Sequence, residues 1–179
     1  PPANPARIKG KLIFVLDDAG HNVTQLQPFL ELPFPITVAV LPGLPWSSAS
    51  AKMAHAAGKE VILHQPMEAI GGLDPGPGAI TLSMEEAQIR RLVRDNLYSV
   101  PGAVGMNNHM GSLVTADERI MAVVLDEARR AGVYFIDSLT VGDSVVHSVA
   151  SRMNVPAWER SVFLDNVPDR SSIAHFITE

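Results

Sequence analysis

Short aliphatic runs alternate along the chain with longer stretches whose apolar residues recur every three or four positions. The runs are Lys11–Leu16, Ile36–Val40, Val61–Leu63, Ala103–Met106, Val133–Ile136 and Val162–Leu164. Each is short and almost uniformly apolar or β-branched, which fits a strand covered on both faces. Between them the spacing predicts helices. Ser47–Ala57 opens on serines suited to capping and stops at Gly58. Ser83 with Glu86 forms a capping box ahead of Ile89, Leu92, Val93 and Leu97, and Pro101-Gly102 ends that run. Thr115 with Glu118 forms a second box, opening a helix with Ile120, Val123, Val124 and Ala128 on one face and Gly132 at its end. Weaker helical patterns cover Ser144–Met153 and the stretch from Ser171 onward.

Strand and helix in alternation call for a mainly parallel α/β sheet, because each helical crossover returns the chain to the same side. A (β/α) barrel and an open doubly wound sheet both meet that requirement. No Gly-x-Gly-x-x-Gly turn follows the first strand, which removes the main support for the dinucleotide-binding form of the open sheet. The expected fold is an incomplete or distorted (β/α) barrel.

Composition narrows the function. At 179 residues and 46% hydrophobic content the chain is sized for one domain with a substantial core. The net charge of -5 is spread thinly, and no Lys/Arg cluster interleaved with aromatics is present, which argues against nucleic acid as a partner. With 0 cysteines, any metal must be held by nitrogen and oxygen. No apolar run approaches the roughly 20 residues of a membrane span. Pro1-Pro2-Ala3-Asn4-Pro5 reads as the end of a proline-rich linker over residues 1–10, followed by one domain over residues 11–179. Such a start suggests a domain cut from a longer protein.

The chemistry gathers where the runs end: Asp17-Asp18, His64, Asn107-Asn108-His109, Asp137 and Asp165. In parallel α/β folds those ends converge on one face, where active sites are built. Adjacent Asp17 and Asp18 point to opposite sides if strand geometry persists, so that one can ligate a metal while the other approaches a bound water; such a pair also serves as a cap. His64 at a strand end also fits a hydrogen-bonded structural role. The polar cluster from Asn107 to Ser112 is costly after a buried strand unless its groups find partners, and a tight hydrogen-bonded turn would supply them. Together the three segments offer two imidazoles and a carboxylate, the donor set of a catalytic zinc with one position left open. His55, His147 and His175 read as surface residues, and His21 lies near Asp18 without a defined role.

These segments resemble a known family. Leu16-Asp17-Asp18-Ala19-Gly20 resembles the first motif of the polysaccharide deacetylase superfamily, and Gly58-Lys59-Glu60-Val61-Ile62-Leu63-His64 resembles its strand leading into a metal histidine. The divergent branch is the closer match, at His64-Gln65-Pro66-Met67-Glu68, at Asp74-Pro75-Gly76-Pro77-Gly78, at Gly105–Ser112, at Phe135-Ile136-Asp137-Ser138 and at Val162-Phe163-Leu164-Asp165. The resemblance runs from Lys11 to Asn166. It implies a seven-stranded, distorted (β/α) barrel that hydrolyses N-acetyl groups of an amino-sugar polymer, a polysaccharide or peptidoglycan-type substrate, outside the cytoplasm, with zinc or a similar divalent metal. Asp17 would be the base, and Asp18, His64 and His109 the metal ligands, with Glu68 and Asp137 as supporting catalytic groups that orient an imidazole or contact the leaving amine. The main superfamily has a second metal histidine where this chain has Glu68, and His109 is its natural substitute. The family also continues into a further strand with a Gly-His-Pro element, which this sequence does not reach. A carbohydrate-binding or regulatory domain without turnover, and a hydrolase of another amide or ester, are the rival readings. Leu41–Trp46 and the Gly- and Pro-rich loop Gln65–Ile80 are expected to wall the cleft.

Overall fold

The computed structural model describes residues 11–167 and 169–178; the expected linker, residues 1–10, lies outside them. Strand and helix alternate throughout: β1 (Val15–Ala19), α1 (Val23–Leu30), β2 (Thr37–Val40), α2 (Ser47–Ala56), β3 (Glu60–Met67), α3 (Glu86–Ser99), β4 (Gly105–Met110), α4 (Glu118–Ala131), β5 (Tyr134–Asp137), α5 (Val146–Met153), β6 (Ala157–Glu159) and α6 (Arg170–Thr178). The six strands form one sheet in chain order, and every neighbouring pair is parallel. A doubly wound sheet reverses its strand order at a switch point, whereas a barrel does not. The monotonic order is barrel-like.

The central strands carry the pattern of burial expected of a parallel sheet, with Val38, Ile62, Leu63, Met106 and Phe135 fully buried. Helices cover them through Ile89 and Val93 of α3 and Ile120, Val124 and Leu125 of α4. Removing a ring such as that of Phe135 would cost about 3–5 kcal/mol.

The structure departs from the expected elements at both ends of the sheet, at α1 and at two helix caps. The first strand starts at Val15, not Lys11, and is half-buried because it pairs only with β2. The last strand lies at Ala157–Glu159, in register with Phe135–Asp137, whereas Val162–Leu164 belongs to no strand. Arg160 ends the pairing: its guanidinium donates to the carbonyls of Ser138 and Leu139 and covers the Phe163 ring at 3.7 Å. α1 forms in a stretch without a strong apolar period, capped by the Asn22 side chain, which accepts from Thr24 N. The caps of two helices also shift. α3 is capped by a Glu85–Gln88 box, and α4 by Asp117 accepting from Ile120 N, while the Thr115 hydroxyl donates to the Gly111 carbonyl.

α3 and α4 are joined by a network of charges. Arg90 donates to Glu86, Asp126 and Glu127 at 2.7–2.8 Å, Arg94 donates to Glu127, and Arg129 and Arg130 donate to Asp126.

Candidate metal centre

The site begins with an irregularity in β1. Its pairing with β2 shifts register between Leu16 and Ala19, and Asp18 takes the left-handed conformation at φ 61°. Aspartate tolerates that conformation better than most residues. Regular strand geometry would send adjacent side chains to opposite faces; here the left-handed residue brings both carboxylates to one histidine. The ring of His64 lies with Nδ1 3.7 Å from Asp17 Oδ1 and Nε2 3.2 Å from Asp18 Oδ1.

β3 and β4 supply the other groups through their register. His64 pairs with Asn107, and His109 follows two residues later on the same face. His109 Nδ1 lies 3.1 Å from His64 Nε2 and 3.1 Å from Asp18 Oδ1. The two rings meet edge to face with centroids 4.8 Å apart. Asn107 stands behind His64: its Oδ1 is 2.8 Å from His64 Nδ1, and its Nδ2 donates to Asp17 Oδ1 at 2.9 Å. Asn108 faces the other way, accepting from Ser138 N and donating to the Met110 carbonyl, and so ties β4 to β5.

Burial is graded across the cluster. His64 is 3% exposed, the Asp18 side chain 58%, so the site is anchored from within and open on the carboxylate side. Hydrogen bonds from His109 and then His64 hold the Asp18 carboxyl far below the usual carboxylate range. For His64, burial works to lower the pKa, but the hydrogen bond with Asp18, the charge of Asp17 and the Asn107 contact outweigh it, so the ring titrates above 6.5.

Asp18, His64 and His109 can together hold a metal ion. Three lone-pair atoms at 3.1–3.2 Å from one another match neighbouring corners of a small coordination shell with ligand distances of about 2.0–2.2 Å. Without a cation or shared protons, two imidazole nitrogens and a carboxylate oxygen would turn lone pairs on one another. The donor set of two nitrogens and one oxygen suits zinc.

The other expected groups have partners elsewhere. Glu68 Oε2 accepts from Leu82 N, and its backbone carbonyl accepts from Leu113 and Val114 N. Asp137 is fully buried, with Oδ1 accepting from Leu139 N and Oδ2 from the Ser144 hydroxyl. Neither carboxylate bonds to the cluster. Asp165 lies in irregular chain beyond β6. His21, His55 and His147 are exposed, as is Trp46 in the loop after β2. Gln65 and Pro66, expected in a loop, extend β3, and Gln65 is fully buried, donating to the carbonyls of Pro66 and Gly78. Asn107 is the group whose place in the cluster the residue pattern did not single out. The signal was present, since alternation along β4 puts Asn107 on the side of His109.

Comparison with known proteins finds a family and relatives for this chain. A model of the divergent polysaccharide deacetylase family matches residues 14–179. The chain is 32% identical over 158 residues to an uncharacterized protein of Haemophilus influenzae, covering 88% of this chain and 56% of that protein. It is 35% identical over 166 residues to the uncharacterized protein YibQ of Escherichia coli, covering 93% of this chain and 52% of YibQ. It thus spans about half the length of these relatives. The crystal structure of the uncharacterized protein ATU2773 from Agrobacterium tumefaciens superposes with a TM-score of 0.85 over 93% of this chain and 69% of that one. At 19% identity this likeness concerns the fold alone. By the extent of the family match and its two relatives, the chain belongs to the divergent polysaccharide deacetylase family.

Proposed function

We propose that this domain is a metal-dependent hydrolase that removes N-acetyl groups from an amino-sugar polymer of peptidoglycan type, outside the cytoplasm. On this reading Asp18, His64 and His109 hold a divalent metal, zinc by donor set, and the six-stranded sheet is part of a distorted seven-stranded barrel of the deacetylase type. The observation that carries the reading is the convergence of Asp18 Oδ1, His64 Nε2 and His109 Nδ1 at 3.1–3.2 Å. A divalent cation held there by Asp18, His64 and His109 would supply Lewis acidity toward an acyl carbonyl and toward water.

The chain's own residues do the rest. Asp17 lies beside His64, with Oδ1 engaged by Asn107 Nδ2 and Oδ2 in no hydrogen bond among the described residues. Oδ2 is the base that takes a proton from the water adding to the acetyl carbon. The proton taken by Asp17 passes to the amide nitrogen as the C–N bond breaks, leaving acetate and the free amine of the sugar. Asp137 and Glu68 act at a distance, fixing the turn after β5 and the loop before α3 through Leu139, Ser144 and Leu82.

The test is a zinc titration followed by acetate release from chitin oligomers and peptidoglycan fragments. The parent should bind one zinc per chain and release acetate, and His64→Ala should do neither while still binding the oligomers. Oligomer binding by zinc-loaded parent without acetate release would replace the hydrolase with a carbohydrate-binding module.

A further inference from the structure

Asn107 is buried, 2% exposed, between two groups that make opposite demands on its amide. A carboxylate accepts hydrogen bonds and cannot donate. The atom 2.9 Å from Asp17 Oδ1 must therefore be the amide NH2, as the contact is drawn. That choice leaves the amide oxygen, an acceptor only, 2.8 Å from His64 Nδ1. A neutral imidazole carries one proton on either nitrogen, and the partner of one nitrogen decides the role of the other.

We infer that Asn107 is a positioning residue which keeps the His64 proton on Nδ1, so that the Nε2 lone pair faces Asp18 and His109. Asp17 thus orients Asn107, and Asn107 orients His64, in a chain of two hydrogen bonds from the base to a metal ligand. An asparagine meets both demands, since it presents a donor and an acceptor on one planar group. An aspartate at this place would face Asp17 with a second carboxylate, and a leucine of similar shape would satisfy neither neighbour. The inference rests on the hydrolase reading in taking His64 as a metal ligand, but the tautomer itself is a property of the metal-free chain.

The experiment uses the whole domain with 15N-labelled histidine. Imidazole nitrogen spectra of metal-free protein, at a pH where the ring is neutral, report which nitrogen of His64 is protonated, and competition titration reports zinc affinity. The parent should show the Nδ1–H form. Asn107→Leu should lose that fixed form and bind zinc about 10- to 100-fold more weakly, the usual loss when the partner of a ligating histidine is removed. Asn107→Asp sets a second carboxylate against Asp17 but keeps an acceptor toward His64 Nδ1, so it should retain the Nδ1–H form, and it decides the matter if Asn107→Leu does not fold. An Nε2–H form of His64 in the parent, an Nε2–H form in Asn107→Asp, or unchanged zinc affinity in folded Asn107→Leu would each overturn the assignment. A parent that shows the Nδ1–H form but binds no zinc would overturn the metal reading and leave the role of Asn107 standing.

Discussion

Two clusters of charged residues invite comparison, one between α3 and α4 and one at the ends of β1, β3 and β4. In the first, Glu127 is almost wholly buried, yet its two oxygens receive Arg90 and Arg94, and Asp126 receives Arg90, Arg129 and Arg130. Donors meet acceptors throughout. A surface hollow opens beside this network, lined by Glu86, Arg90, Arg119 and Asp126, but each of those groups is already paired within the protein. The second cluster is different in kind. Asp18, His64 and His109 turn acceptor-capable atoms on one another at 3.1–3.2 Å, and among the described residues no arginine or lysine is paired with them. Where charge is satisfied by neighbouring side chains the network is architecture; where acceptor-capable atoms converge, the cluster could hold a cation.

The sharpest way to break the comparison is to remove the proposed base, Asp17, from the second cluster. Asp17→Asn keeps an oxygen for Asn107 Nδ2, so the fold and the zinc affinity should persist while acetate release falls about 10²- to 10⁴-fold. Loss of zinc in that variant would make Asp17 part of the metal shell. Removing a ligand should act on affinity instead. His109→Ala should weaken zinc binding by more than the roughly 100-fold that loss of an outlying partner costs, and it should leave the thermal midpoint of metal-free protein nearly unchanged, because His109 is partly exposed.

The first cluster should respond in the opposite way. Arg90→Ala takes one partner from buried Glu127 and one from Asp126, leaving Arg94, Arg129 and Arg130 in place. The expected loss is about 1–3 kcal/mol of unfolding free energy, the scale for a buried polar group deprived of a bond, with zinc affinity untouched. A fall in zinc affinity of tenfold or more would show that the two clusters are coupled.

How far the sequence disclosed these clusters depends on what each residue needed. β2 to β5 and the helices between them follow from aliphatic runs and helical spacing, because burial on both faces leaves little freedom of composition. β6 does not: three residues, with Trp158 and Glu159 exposed, carry no aliphatic signature, while the apolar Val162–Leu164 nearby drew the assignment away. α1 was hidden by Pro28 inside it. At the candidate site, the gathering of Asp17-Asp18, His64 and His109 at one edge followed from topology, and the choice of Asp18 over Asp17 as a ligand from the family resemblance. What topology did not disclose was the left-handed turn of Asp18, which brings both aspartates to His64; the alternation that separates Asn107 from Asn108 is legible once β4 is carried to Met110. Nor do residue types show that Asp137 and Glu68 spend their oxygens on Ser144, Leu139 and Leu82.

The smallest expected effect concerns pH, where the two clusters should limit the metal-free domain at opposite ends of the scale. Hydrogen bonds from Arg129 and Arg90 lower the Asp126 pKa from 3.8 to about 2. A carboxyl titrating lower in the folded state contributes stability that is complete above pH 3.8 and is lost as pH falls toward 2. Because Arg129 and Arg130 are half-exposed, the contribution should be about 1 kcal/mol or less. His64 titrates above 6.5 in the folded state, so its contribution is complete below 6.5 and is lost as pH rises through the raised value. Denaturant unfolding as a function of pH, in the presence of a chelator, reads both limbs. Asp126→Asn should make the acid limb shallower without abolishing it, since Asp18 also titrates low, and should leave the alkaline limb in place. His64→Gln should remove the alkaline limb, and its persistence in that variant would show that the decline there belongs to another group.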